Sequence, residues 1–269
     1  MAFPTDEEFP PPHVAIGREG EVATATLVNP ARRNAITVGM WRELEAFALA
    51  VGADSDVRCV IVRGEGGVFS AGADIAGFAE ERSGAEGARA YDDQLELACR
   101  AVEAIRQPTV AVLEGPVVGA GAALALSCDI RVASEDVFFM VPAARLGLGY
   151  DPRGVARLAR ILGESTARWL LLTAGRLPVQ RAFLTGAVHE ILADDALDGA
   201  VARLAERLSE NAPLTLSAAK MALRAITEGA EPALLEEAWR MVDAADTSDD
   251  YAEGRAAFAE KRRPHFEGR

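Results

Sequence analysis

Two glycine-rich segments carry the first chemical signal in this chain. Phe69-Ser70-Ala71-Gly72-Ala73-Asp74-Ile75 and Gly115-Pro116-Val117-Val118-Gly119-Ala120-Gly121 each follow a short β-branched, apolar run. Small or absent side chains leave their main-chain N–H groups accessible. The second segment also runs straight into an apolar, small-residue helix, whose N-terminus favours negative charge. Two such N–H groups aimed at one point would stabilise an oxyanion; the same glycines would equally serve to turn the chain. Neither segment is a G-x-x-x-x-G-K-[ST] or G-x-G-x-x-G phosphate cradle.

A third segment, Gly147-Leu-Gly-Tyr150-Asp151-Pro-Arg-Gly154, supplies polar side chains. Asp151 before Pro152, followed by Val155, Leu158, Ala159 and Leu162, has the form of a helix N-cap. A carboxylate there can also move a proton, and helix-end amides would keep it ionised and aimed. Tyr150 is either a hydroxyl donor beside it or a packed ring. Arg145 and Arg153 can pair with Asp151, attract a substrate carboxylate, or stand on the surface. The three histidines, His13, His189 and His265, lie outside these segments. No serine sits in a nucleophile elbow and no residues have metal-ligand spacing. Cys59, Cys99 and Cys128 lie in apolar stretches and read as buried free thiols of a reducing compartment.

The elements that must position these groups follow from periodicity. Val14–Ile16 and Val22–Val28 read as a hairpin ended by Asn29-Pro30. Thr37 caps a helix with Trp41, Leu44, Phe47 and Ala48 on one face, stopping near Gly52. Val57–Val62, Thr109–Leu113 and Ile130–Ala133 read as buried strands, with a helix between about Gly87 and Arg106 and Gly115–Gly121 as a turn. Beyond Arg153 the chain is mostly helical, over about 153–162, 164–173, 178–185, 195–211, 213–228, 231–245 and 249–260, with a short strand at Val188–Leu192. The alternation predicts an α/β fold. Pro213 at a helix start marks a boundary between a core, residues 13–212, and a C-terminal helical region, 213–269.

Composition bounds the partners. Of 269 residues, 41 are acidic and 28 basic, a net charge of −13 that repels nucleic acid and anionic membrane surfaces. The longest uncharged run, Gly115–Cys128, is shorter than the roughly 18 residues of a membrane span, and the acidic, proline-rich start does not resemble a signal peptide. The expectation is a cytoplasmic protein.

Gly64-Glu-Gly-Gly-Val-Phe-Ser-Ala-Gly-Ala-Asp-Ile75 and Glu114-Gly-Pro-Val-Val-Gly-Ala-Gly-Ala-Ala-Leu-Ala125 resemble the two oxyanion-hole segments of the enoyl-CoA hydratase/isomerase (crotonase) superfamily. Asn29-Pro-Ala-Arg-Arg-Asn-Ala-Ile36 resembles its early coenzyme A segment, and Asp246 to Phe266 its ending. The resemblance implies a spiral of strand–strand–helix turns (a ββα superhelix) with a C-terminal α-helical region, assembled as a homotrimer or a dimer of trimers. It implies an acyl-CoA substrate, with coenzyme A entering only as part of the thioester, no tightly bound cofactor, no metal, and a place in fatty acid metabolism. It puts the thioester oxygen on the N–H groups of Ala73 and Ala120. The adenine end would lie near Arg33, Ala35, Ala71, Asp74 and Ile75, and Lys261 near the nucleotide phosphates, often of an adjacent subunit.

The same resemblance exposes a departure. The two glutamates of a hydratase fall at Ala123 and Ala143, and alanine moves no proton. Asp151 falls where an aspartate acts as base or nucleophile in branches resembling dienoyl-CoA isomerases and an aromatic-CoA dehalogenase. The expectation is therefore an enolate-stabilising enzyme with isomerase-type proton transfer by Asp151 rather than two-glutamate hydration. Alternatives are decarboxylation of a malonyl-type CoA ester, with Tyr150 orienting the carboxylate, and a non-catalytic acyl-CoA-binding or scaffold protein.

Overall fold

The computed structural model describes residues 12–77 and 82–269. The chain opens with an antiparallel hairpin, β1 (His13–Glu19) and β2 (Val22–Val28). Helix α1 (Val38–Ala53) starts where the Thr37 hydroxyl accepts from Met40 N at 3.2 Å, as the cap pattern requires. Strands β3 (Cys59–Gly64), β4 (Thr109–Leu113), β6 (Ile130–Ser134) and β9 (Glu190–Leu192) then add in parallel. They complete a six-stranded sheet of order β1-β2-β3-β4-β6-β9.

Both faces of that sheet are covered, which is why its central strands read as continuous apolar runs. Alternation splits them cleanly. Val60, Val62, Ala111, Leu113 and Ala133 join the main core with α1, helix α2 (Gly84–Glu103) and helix α3 (Ala120–Ser127). Cys59, Val110, Val112 and Val132 turn the other way, onto Leu197, Val201 and Ala205 of helix α8 (Asp194–Ser209). Trp41, Phe69 and Phe139 are the bulkiest fully buried side chains of the main core.

The glycine-rich stretch 115–121 is not simply a turn. Its middle, Pro116–Val118, is a short strand, β5, between the positive-φ residues Gly115 and Gly119. It pairs with β7 (Phe138–Met140), which pairs with β8 (Leu177–Pro178), in a second, three-stranded sheet. Three residues are too few for a period-two pattern to register, so the strand was invisible to sequence reading.

Short α4 (Ala143–Leu146) precedes α5 (Pro152–Leu162), α6 (Glu164–Thr173) and α7 (Val179–Leu184). The last helices are α9 (Pro213–Thr227), α10 (Pro232–Asp246) and α11 (Asp249–Glu260). The long helix read from Gly87 to Arg106 runs three residues earlier at both ends, Gly84 to Glu103, and the last strand begins at Glu190 rather than Val188. No helix among the described residues is long and apolar enough to cross a membrane.

Candidate functional site

The two glycine segments are fastened to each other by main-chain bonds. Ser70 N donates to Pro116 O and Val118 N to Ser70 O, both at 3.1 Å. Further along, Ile36 N donates to Gly72 O at 2.7 Å and Asp74 N to Ile36 O at 3.0 Å. In extended chain, successive N–H groups point to opposite sides. The Ala73 N–H therefore faces away from Ile36, and it has no acceptor among the described residues.

The second donor comes from a helix start. Gly119 N donates to Met140 O at 2.8 Å, and Ala123 N is the first to close back, onto Gly119 O at 3.1 Å. The Ala120 N–H thus belongs to the first turn of α3 and has no partner within its helix. Gly119 sits at φ +49 and ψ −109, which a side chain resists. A Cβ on Gly121 would stand 2.7 Å from Ser70 Cβ. The small residues thus let the helix start press against the first segment, and Ala73 and Ala120, whose N–H groups have no acceptor among the described residues, both line one cavity of about 470 Å³.

That cavity is apolar over most of its wall, through Leu95, Val118, Met140, Val141, Leu146 and Leu148. Ala123 and Ala143 are buried and form part of it. Tyr150 lines it with its ring against the first turn of α5, where a Cβ on Gly154 would lie 2.9 Å from the ring. Burial holds the Tyr150 phenol well above the usual tyrosine range, so it stays neutral.

Asp151 also lines the cavity, and it is a formed N-cap. Its Oδ1 accepts from Arg153 N at 2.7 Å and from Arg153 Nε at 3.0 Å, and the Arg153 guanidinium also engages Oδ2. Arg153 is fixed in turn by Asp93 at 2.7 Å. These donors hold the Asp151 carboxyl below the usual aspartate range. The capping and pairing readings of Asp151 and Arg153 are both realised, and they favour the ionised form of Asp151.

Helix α2 brings carboxylates that sequence reading missed. Glu96 is buried in the wall, and its oxygens accept from Arg157 at 3.1 and 3.2 Å and from Arg100 at 2.9 Å. Asp92 accepts from Arg82 at 2.6 and 3.4 Å, yet burial still pushes its carboxyl above the usual aspartate range. The available signal was an acidic pair, Asp92 and Glu96, four apart on the face that carries Leu95 and Cys99.

Of the other expected contacts, Ala35, Ala71, Asp74 and Ile75 line the cavity. Arg33 does not: it is exposed, at φ 50, and its carbonyl accepts from Ala71 N at 2.9 Å. Its neighbour Arg32 lines the wall instead, paired with Asp74 at 3.2 Å. Lys261, at the end of α11, is exposed and outside this chain's cavity lining. His189 accepts from Arg131 N at 3.1 Å, a structural contact. The three cysteines are buried; burial pushes Cys59 and Cys128 up to about 12 and Cys99 to about 11, so none is a thiolate nucleophile. Among the described residues no cluster of His, Cys, Asp or Glu could hold a metal ion.

The enoyl-CoA hydratase/isomerase family profile matches residues 17–269. A protein of Mycobacterium leprae named "Probable enoyl-CoA hydratase echA6" is 36% identical over 95% of this chain and 99% of its own. The methylmalonyl-CoA decarboxylase of Escherichia coli is 32% identical over 79% of this chain and 82% of its own. Among solved structures, an enoyl-CoA hydratase/carnithine racemase from Magnetospirillum magneticum superposes with a TM-score of 0.88 at 36% identity, covering 95% of this chain and 96% of that one.

Proposed function

Given that the chain belongs to the enoyl-CoA hydratase/isomerase family, with its crotonase fold and CoA-thioester chemistry, we propose that it stabilises a thioester enolate between the Ala73 and Ala120 N–H groups and moves a proton along the acyl chain. One observation carries this reading: two residues whose main-chain N–H groups lack acceptors among the described residues line a single, mostly apolar cavity. An N–H donor aimed at a developing oxyanion contributes about 10²–10³ in rate. Backbone donation is indifferent to alanine at either position.

Hydration is the disfavoured outcome. General acid–base help contributes roughly 10²–10⁴, and Ala123 and Ala143 offer none. The groups left in the wall that could move a proton are four carboxylates and two phenols, Tyr91 and Tyr150. The resemblance sets Asp151 at a proton-transfer position; its cap and Arg153 orient it, and Arg153 also weakens it as a base. The acyl group lies among Leu146, Leu148 and Tyr150. The adenine end runs past Arg33, Ala35, Ala71, Asp74 and Ile75, with a Lys261, often another subunit's, for the phosphates.

The assembly proposed with it is a homotrimer or a pair of trimers. Exposed Leu223, Ile226 and Trp239 on α9 and α10 and Phe258 on α11 are the apolar surface that such an assembly would cover. Sedimentation of the intact protein reads the subunit number. Reduced, buried cysteines suit a cytoplasmic enzyme.

The test of the reaction is exchange of solvent deuterium into the carbon beside the thioester, followed by mass spectrometry over a panel of acyl-CoA esters. Exchange with negligible water addition to a 2-enoyl-CoA is expected. A second reading, decarboxylation of a malonyl-type ester, is favoured by the Tyr150 hydroxyl, which lacks a hydrogen-bond partner among the described residues and can orient a carboxylate. Carbon dioxide release lost in Tyr150→Phe would select it. Tight binding with neither reaction would instead make the protein a non-catalytic acyl-CoA carrier.

A further inference from the structure

Four carboxylates line the cavity, and they are not equally engaged. Asp74 faces Arg32 and accepts from Ala76 N. Both oxygens of Glu96 are taken by Arg100 and Arg157, the latter almost wholly buried. Asp151 is held by the Arg153 main chain and guanidinium together. Asp92 meets a single side chain and no main-chain N–H: Arg82, at 2.6 Å from Oδ1 and 3.4 Å from Oδ2.

Position separates Asp92 and Asp151 from Asp74 and Glu96, which line the apolar cavity alone of two adjoining openings. Asp92 lines the apolar cavity and also the adjoining open cleft of about 480 Å³, with Gly149, Tyr150 and Asp151 shared between the two. A group at that junction can meet an acyl chain on one side and return a proton to water on the other. A base buried on all sides lacks the second half of that cycle.

We propose that Asp92 is a catalytic carboxylate of this site, the group that accepts the proton taken from the acyl chain, with Asp151 standing ionised nearby. The inference rests on the enolate reading above and assigns its proton carrier. The carbon–hydrogen bond beside the thioester breaks. Its electron pair moves into the carbonyl, whose oxygen becomes the enolate on Ala73 and Ala120 N–H, and the proton passes to an Asp92 oxygen. Protonated Asp92 gives it back, to the same carbon in exchange or two carbons along in a double-bond shift, and both site and charge are restored.

Electrostatics supports the division of labour. A pair of titrating groups pushed apart by their surroundings separates proton carrier from spectator. Burial and the Asp151 charge raise Asp92, whereas Arg82 and Arg153 pull it down. The other charged or titrating groups around it are Asp93, Glu96 and Arg89 of its own helix, and Tyr91 and Tyr150, neighbours or wall residues of the same two openings.

The experiment compares Asp92→Asn with Asp151→Asn in the deuterium-exchange assay, with acyl-CoA binding measured on each to certify the fold. Asp92→Asn is expected to keep binding and lose about 10²–10³-fold in exchange, and Asp151→Asn to lose under about tenfold. The pH profile gives an independent readout that a structural role would not move. Exchange requires ionised Asp92, so it rises with pH through that group's titration. Arg82→Gln removes a stabilising cation and moves the acid limb to higher pH, whereas Asp151→Asn removes a repelling charge and moves it to lower pH. Undiminished exchange in Asp92→Asn, with Asp151→Asn inactive, overturns the assignment and leaves the enolate reading standing. Wild-type protein that binds acyl-CoA and exchanges nothing overturns both.

Discussion

The cavity has two walls built on different principles. One is main chain: residues 70–75 and 117–121, bound to each other through Ser70 and offering two N–H groups. The other is side chain: Asp92 and Glu96 from α2 facing Tyr150 and Asp151 at the start of α5. The first wall tolerates alanine at 73 and 120, because its donors belong to the backbone. The second depends on its side chains, and on the proposed reading the alanines at 123 and 143 take two-glutamate hydration out of its repertoire. A fixed electrophilic wall beside a variable proton-moving wall lets one fold host several reactions of the same thioester.

The strongest way to break the comparison is to separate the two donor segments. In Gly121→Val the new side chain meets Ser70 at a position where even Cβ would be 2.7 Å away. Enolate formation should fall by about 10²–10³-fold, the worth of one misplaced donor, and overpacking should lower stability by about 1–3 kcal/mol. Deuterium exchange and urea unfolding read the two effects separately. An active, stable variant would show that the main-chain wall is not rigid.

A gain of function sharpens the other side. The Ala123→Glu, Ala143→Glu double variant adds two carboxyls to the cavity wall. Water addition to a 2-enoyl-CoA should rise by about 10²-fold, the lower end of general acid–base assistance, as followed by loss of enoyl absorbance. No rise would mean that more than those two side chains separates this site from hydration.

The smallest effect concerns Asp151 as a cap. Asp151→Ala should cost about 1 kcal/mol of stability at neutral pH, read by urea denaturation. Asp151 is more acidic in the folded chain than in the unfolded one. Its contribution is therefore complete above the unfolded aspartate value of about 3.9 and is lost as pH falls through the lower folded value. The difference between wild type and variant should close on acidification below about pH 4. A gap that persists there would assign the loss to packing rather than charge.

Much of this was readable along the chain. The Thr37 and Asp151 caps, the hairpin and the C-terminal helix starts depend on contacts within a few residues, and they form where those residues stand. Strand β5 escaped notice because it is short and exists only by pairing with Ser70 and β7. The resemblance set Arg33 near the adenine end; in the fold Arg33 is exposed at a left-handed φ, and its neighbour Arg32 lines the cavity. Asp92 and Glu96 looked like ordinary polar positions of a helix until α2 was packed.

The amino-acid order alone marked two glycine-rich segments and a helix start, both local properties that can leave main-chain N–H groups accessible; the family resemblance singled out Ala73 and Ala120. Which carboxylate holds a proton was left to the tertiary structure. Arg153 reaches Asp93 across 60 residues of sequence, and charges that far apart in the chain meet, lose water and shift one another only when helices α2 and α5 close over the same cavity.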